Sequence, residues 1–181
     1  VTEHLKNHLD YVLDGGPCEA GVESTIIDLT NEEHPELLRP GPIQVEAIEQ
    51  ILETQIRRSQ STSTGNSIEA KTSPGQLKLH YSPHAHLALS KVPAKEETII
   101  LHPDTAFVRF EENKAHSEAV QPDNLFHLSH TTNPKEAELK LYTLLQTLDQ
   151  SQFQHIQVDP VPDGPEWDTI CDRLTRAASR K

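Results

Sequence analysis

The chain has 181 residues, 16 Lys+Arg against 28 Asp+Glu for a net charge of −12, and an apolar fraction of only 34% with 4% aromatics. That length allows one or two domains with a real core, and a chain this polar should carry a substantial linker beside its packed units. No apolar run approaches the roughly 18 residues of a membrane span, no signal peptide opens the chain, and the acidic balance argues against broad nucleic-acid binding by this polypeptide alone. Two lone cysteines, Cys18 and Cys171, cannot build a disulfide framework and suit a reducing compartment, the cytoplasm. There is no Met and the first residue is Val1, so either a start was removed or the chain is a piece of a longer one.

Val1, Leu5 and Leu9 recur every four residues and read as the end of an amphipathic helix. Residues 10–14 are expected to form a short strand stopped by Gly15-Gly16-Pro17. Residues 24–30, Ser-Thr-Ile-Ile-Asp-Leu-Thr, are β-branched and bounded by turn formers, which predicts a strand. A returning strand over 34–39 must end at Pro40-Gly41-Pro42, which cannot extend a ladder. Val45, Ile48, Ile51, Leu52 and Ile56 mark one face of a helix of about three to four turns.

From Arg57 the composition changes. Residues 59–67 hold no apolar side chain, so they cannot offset their ordering entropy and should be a mobile linker. The linker runs into Ser73-Pro74-Gly75 and then His80-Tyr81-Ser82-Pro83, which is specific for a connector. Beyond it, strands are expected at 86–90, 98–101, 107–110, 125–129 and 155–158. Asn133-Pro134 is an N-cap with a first-turn proline, and Ala137, Leu141, Leu144, Leu145 and Leu148 form the stripe of a helix. Pro165 opens a last helix with Trp167, Ile170, Cys171, Leu174 and Ala178 expected inside. Strands alternating with helices imply an α/β layered unit with a largely parallel sheet.

Chemistry could sit in several places. Among the histidines, His80, His84 and His86 are densest, but no paired Cys or metalloprotease-type helix accompanies them, so no metal site is assigned. Cys18 follows a turn without a recognisable nucleophile partner, and Cys171 is read as core. Gly21-Val-Glu-Ser-Thr25 puts small hydroxyls after a glycine turn. Those can face an anion or simply cap a strand start. Arg39 beside Pro40-Gly41 can grip phosphate with its fork of donors or make a surface ion pair. Tyr81 can stack on a base or anchor the linker.

Taken in order, Leu13-Asp-Gly-Gly16, Gly21-Val-Glu-Ser-Thr-Ile-Ile-Asp28, Leu38-Arg-Pro-Gly41, Ser73-Pro-Gly75 and His80-Tyr-Ser-Pro83 resemble the Sua5 branch of the Sua5/YciO/YrdC family. Asp172-Arg173-Leu174 with Arg176-Ala177-Ala178 is similar to the end of that branch's C-terminal domain, so the resemblance spans nearly the whole chain. Gln76-Leu77-Lys78-Leu79 and Ser82 depart mildly from the usual linker, which has further Met, basic or aromatic residues and His-Tyr-Ala-Pro. The larger departure is at the front, where the family's basic ATP segment and Ser-Ala-Asn-type loop do not occur.

The resemblance implies residues 1–56 as the C-terminal part of a YrdC-like twisted α/β catalytic domain. It further implies a linker or lid over 57–84 and a Rossmann-like α/β Sua5 domain over 85–181. The implied reaction joins L-threonine, bicarbonate and ATP, with Mg²⁺, into threonylcarbamoyl-adenylate and pyrophosphate for t6A37 modification of tRNA. Ser24 would hold L-threonine, and Arg39 and Tyr81 would contact ATP. The linker would close over the reactants and exclude water. Transferase proteins of the t6A pathway are implied partners, tRNA would bind through the missing N-terminal part, and no membrane is involved. These 181 residues alone are expected to be inactive. The competing reading is a non-catalytic regulatory or nucleotide- or RNA-binding module of the same type.

Overall fold

The first strand, β1 (Ile26–Asp28), pairs antiparallel with β2 (Glu36–Arg39) in a computed structural model that describes residues 8–58, 82–110 and 122–179. The turn between them is built by side chains that mimic backbone: Asp28 Oδ1 accepts from Thr30 N at 2.8 Å and Asn31 Oδ1 from Glu33 N at 3.2 Å. The ladder pairs Ile26 with Arg39 and Ile27 with Leu37, so Leu38 is an extra residue on its strand. Such a bulge bends the strand and re-aims the side chains beside it. A helix, α1 (Val45–Leu52), follows, and β3 (Arg57–Arg58) adds parallel to β2.

The second sheet holds four parallel strands in the order β4-β7-β5-β6: β4 (His86–Leu89), β5 (Thr105–Arg109), β6 (Leu125–His127) and β7 (His155–Val158). Parallel neighbours need crossovers. Helix α2 (Glu96–Leu101) lies between β4 and β5, α3 (Pro134–Asp149) lies between β6 and β7, and α4 (Asp168–Ala177) follows a single 3₁₀ turn at Pro165–Trp167. The cap expected at Asn133 forms, its side chain accepting from the amides of Lys135 and Glu136. The main core gathers Leu87, Val108, Leu141, Leu148, Ile156 and Ile170, each at most 4% exposed, and Val22 from ahead of β1 packs into it. Trp167 meets Phe110 edge-on at 5.4 Å. The chain is therefore a mixed α/β protein with a parallel sheet, as expected. Among the described residues no helix is long and apolar enough to cross a membrane.

Five expectations are corrected. Residues 10–14 form no strand: the first sheet runs β1-β2-β3 with no place for them, and Tyr11 and Leu13 are 91% and 97% exposed. The helix after Pro42 stops at Leu52, where Glu53 takes a left-handed conformation at φ 52°, and Ile56 is buried beyond it with its amide on Glu49 Oε1 at 2.8 Å. Arg57 and Arg58 belong to β3 rather than to a linker. Residues 98–101 are helical because Thr-Ile-Ile-Leu suits either period, and the β4-to-β5 crossover turns it toward a helix that buries Ile99 against Ala94 and Phe107. Cys171 is exposed. The inner stripe of α4 is Thr169, Ile170, Arg173, Leu174 and Ala177, and the next position after Ile170 turns out toward solvent. The helical end expected over residues 1–7 and the segment 59–81 lie outside the described residues.

Candidate functional site

Ser24 sits just ahead of β1 and Arg39 ends β2, so the hairpin brings together two residues 15 apart in the chain. Arg39 Nε donates to the Ser24 carbonyl at 3.0 Å, and Nη2 donates to Ser24 Oγ at 3.3 Å. Arg39 is only 8% exposed while Ser24 is exposed. A largely buried permanent charge thus fixes the hydroxyl of an exposed residue. With its oxygen accepting from Arg39, the Ser24 O–H hydrogen is directed to donate elsewhere.

The two hydroxyls of Glu23-Ser24-Thr25 divide their work. Thr25 Oγ1 donates to the Ile43 carbonyl at 2.8 Å and ties this loop to the segment after Pro42. Gly41 makes the approach possible: a Cβ there would lie 2.3 Å from Thr25 N and 2.7 Å from the Glu23 carbonyl oxygen. Only glycine lets the two backbones touch. Gly21 plays the same part against α3, where a Cβ would lie 2.4 Å from the Glu138 carbonyl oxygen.

Behind the loop stands a set of residues to which sequence reasoning gave no role in the site. Arg173 of α4 is 1% exposed. Its Nε donates to Glu23 Oε2 at 3.1 Å, its Nη2 to the Pro40 carbonyl at 3.0 Å, and its Nη1 to its neighbour Asp172. Tyr142 of α3 donates its hydroxyl to the same Glu23 oxygen at 2.8 Å. Thr169, one turn before Arg173, donates to the Gly41 carbonyl at 3.0 Å. Burial works against the Arg173 charge, yet Tyr142, Asp172 and Glu23 around it hold its pKa above the ordinary arginine value. Burial also pushes the Glu138 carboxyl up, on the face of α3 that meets Gly21. A signal was present in the sequence: an arginine at 173 lies on the helical stripe shared by Ile170 and Leu174.

The remaining candidates fall elsewhere. Tyr81 and His80 lie outside the described residues. His84 pairs with Asp149 at 2.7 Å, and His86 meets His155 edge-on at 5.9 Å beside a cavity of about 240 Å³ at the starts of β4, β5 and β7. Among the described residues no three His, Cys, Asp or Glu side chains converge to hold a metal. Cys18 is exposed.

Comparison with known proteins matches the chain in two parts that meet near residue 42. Residues 43–179 match the family model described as threonylcarbamoyl-AMP synthase, C-terminal domain, and residues 1–41 match one described as telomere recombination, the Sua5/YciO/YrdC model. The chain is 29% identical over 181 residues to the threonylcarbamoyl-AMP synthase of Pyrococcus abyssi, covering 98% of this chain and 52% of that protein. It is 29% identical over 183 residues to that of Bacillus subtilis, covering 97% and 52%. The crystal structure of P. abyssi Sua5 complexed with L-threonine matches with a TM-score of 0.75 at 25% identity, again over 98% of this chain and 52% of that one. The chain spans about half the length of the curated relatives it matches.

Proposed function

The chain belongs to the threonylcarbamoyl-AMP synthase family, and on that premise we propose that its Ser24–Arg39 pair serves in the synthesis of threonylcarbamoyl-adenylate from L-threonine, bicarbonate and ATP. The observation that carries this reading is the Arg39 fork on Ser24, with Nε 3.0 Å from the carbonyl oxygen and Nη2 3.3 Å from Oγ. It leaves an outward hydroxyl donor beside a fixed positive charge. That pairing suits a small amino acid, whose carboxylate and hydroxyl are both acceptors. The similarity to P. abyssi Sua5, which was crystallised in complex with L-threonine, supports the choice of amino acid.

In this reading Ser24 orients L-threonine. Arg39 offsets the charge of the ATP phosphates and of the departing pyrophosphate. The gain comes from positioning and preorganised charge rather than from a protein nucleophile. Mg²⁺ would enter with the triphosphate, whose oxygens suit a hard cation. Tyr81 would reach the nucleotide from the connecting segment, with the connector beyond Arg58 as a lid between a catalytic part that ends with β3 and a Sua5 domain at 85–181. The adenylate would pass to the transferase proteins that modify tRNA at t6A37, in the cytoplasm.

Titration calorimetry of the 181-residue chain tests the reading. L-threonine should bind saturably, and Ser24→Ala should weaken it about tenfold. ATP should bind too, and Arg39→Ala should weaken it about ten- to a hundredfold, the worth of a hydrogen bond to a charged group. Silence with both ligands, or ligand binding indifferent to both substitutions, would overturn it.

A further inference from the structure

We infer that Arg173, on the last helix of the second unit, is a positioning residue for the Ser24–Arg39 site, which it clamps through the Glu23 carboxylate and the Pro40 carbonyl. The inference rests on the function proposed for that site. Glu23 directly precedes Ser24, and Pro40 directly follows Arg39. One guanidinium therefore holds the outer neighbours of both site residues, at 3.1 Å and 3.0 Å. Only a planar fork can donate in both directions at once. A lysine ammonium is a point charge on a flexible stem and cannot reproduce it.

The surroundings are arranged to keep the clamp in one position. Tyr142 donates to the same Glu23 oxygen at 2.8 Å, and Thr169 donates to the Gly41 carbonyl at 3.0 Å. Thr169 and Arg173 stand four residues apart on one face of α4, so two successive carbonyls of the Pro40-Gly41 turn are gripped by one helix. Asp172 takes the third nitrogen and is itself held by Arg176 at 2.7 Å. Arg173 is 1% exposed, and an arginine so buried is stable only when its donors are satisfied. Here most of that satisfaction comes from the loop and turn that carry the site. The second unit thus builds the ligand site from behind without touching the ligand.

Amide hydrogen exchange and L-threonine calorimetry on the 181-residue chain test this with Arg173→Lys. Glu23→Gln serves as the second variant, since it removes the charge from the less buried partner if the lysine form fails to fold. Either variant should speed exchange at the amides of the β1–β2 ladder, which carries Ser24 and Arg39 at its end, about tenfold or more and leave β4, β5 and β7 protected. L-threonine should bind about ten- to a hundredfold more weakly. Unchanged exchange in that ladder overturns the proposal. So does exchange that rises evenly through the parallel sheet, which would mark a merely structural arginine. Exchange is read with no ligand present. A wild-type chain that fails to bind L-threonine would therefore defeat the functional reading, while the exchange result still decides the role of Arg173.

Discussion

Arg173 and Glu23 are 150 residues apart in the chain and meet at 3.1 Å, Nε to carboxylate. Arg173 is almost fully buried while Glu23 keeps about a third of its side chain in solvent, so the pair sits where packed interior gives way to a solvent-facing loop. A carboxylate in that position accepts strong bonds without the full desolvation cost of a buried ion pair.

Tyr142 shares the Glu23 oxygen. Tyr142→Phe should cost about 1 kcal/mol of stability, the net worth of one hydrogen bond, because Arg173 still holds the carboxylate. Denaturant midpoints of the two proteins measure it. A loss several times larger would mean that the hydroxyl, and not the guanidinium, is the main support of Glu23.

Gly41→Ala should abolish ligand binding or folding, since the added methyl would lie 2.3 Å from Thr25 N. Gly15→Ala is the matched control, with no atom within 4 Å of the new Cβ. It should stay within about 0.5 kcal/mol of the parent. If both glycines tolerate alanine equally in thermal melts and in L-threonine titrations, the close approach of the two loops does not exist in solution.

The Lys140 ammonium 2.6 Å from Glu136, followed by the Ser129 hydroxyl, draws the Glu136 carboxyl down from 4.5 to about 2. A carboxylate with a depressed folded pKa contributes stability that is present above its unfolded value and lost as pH falls through the folded one. Stability should therefore decline from pH 4.5 toward about 2, and Glu136→Gln should flatten that decline while lowering stability at neutral pH. Urea titrations across this range give the two slopes, and parallel slopes would release Glu136 from the account.

Cys18 and Cys171 are both exposed. Two thiols per chain should react with a disulfide reagent in the native state at comparable rates. A Cys171 that reacts only after denaturant is added would restore the apolar-face placement that its helix stripe first suggests.

Much of the second unit was legible because its strands are short apolar runs with turn formers on both sides. His155–Val158 and Leu125–His127 lie inside the ranges expected for them. Asn133-Pro134 announced its helix through capping chemistry, which is local. Thr98–Leu101 was not legible, because four residues cannot separate a period of 2 from one of 3.6, and the deciding fact is the distant pairing of β5 with β7. Ser24 and Arg39 could each be nominated from residue type, but their contact depends on the ladder register and the Leu38 bulge. Arg173 stayed hidden for the opposite reason. Charged residues on helices usually face solvent, and nothing local tells which arginine will find a carboxylate 150 residues away.

The separation of Arg173 from the Pro40 carbonyl it holds sets an order of assembly during synthesis. The Pro40-Gly41 turn leaves the ribosome first, and the guanidinium that fastens it follows 133 residues later. At roughly 5–20 residues per second that interval is about 7–27 s. The nascent chain can close the β1-β2 hairpin at once, but the hairpin waits unclamped until α4 is released. Translation rate, and any chaperone that occupies the growing chain, therefore acts on the Ser24–Arg39 pair through a residue made well after it.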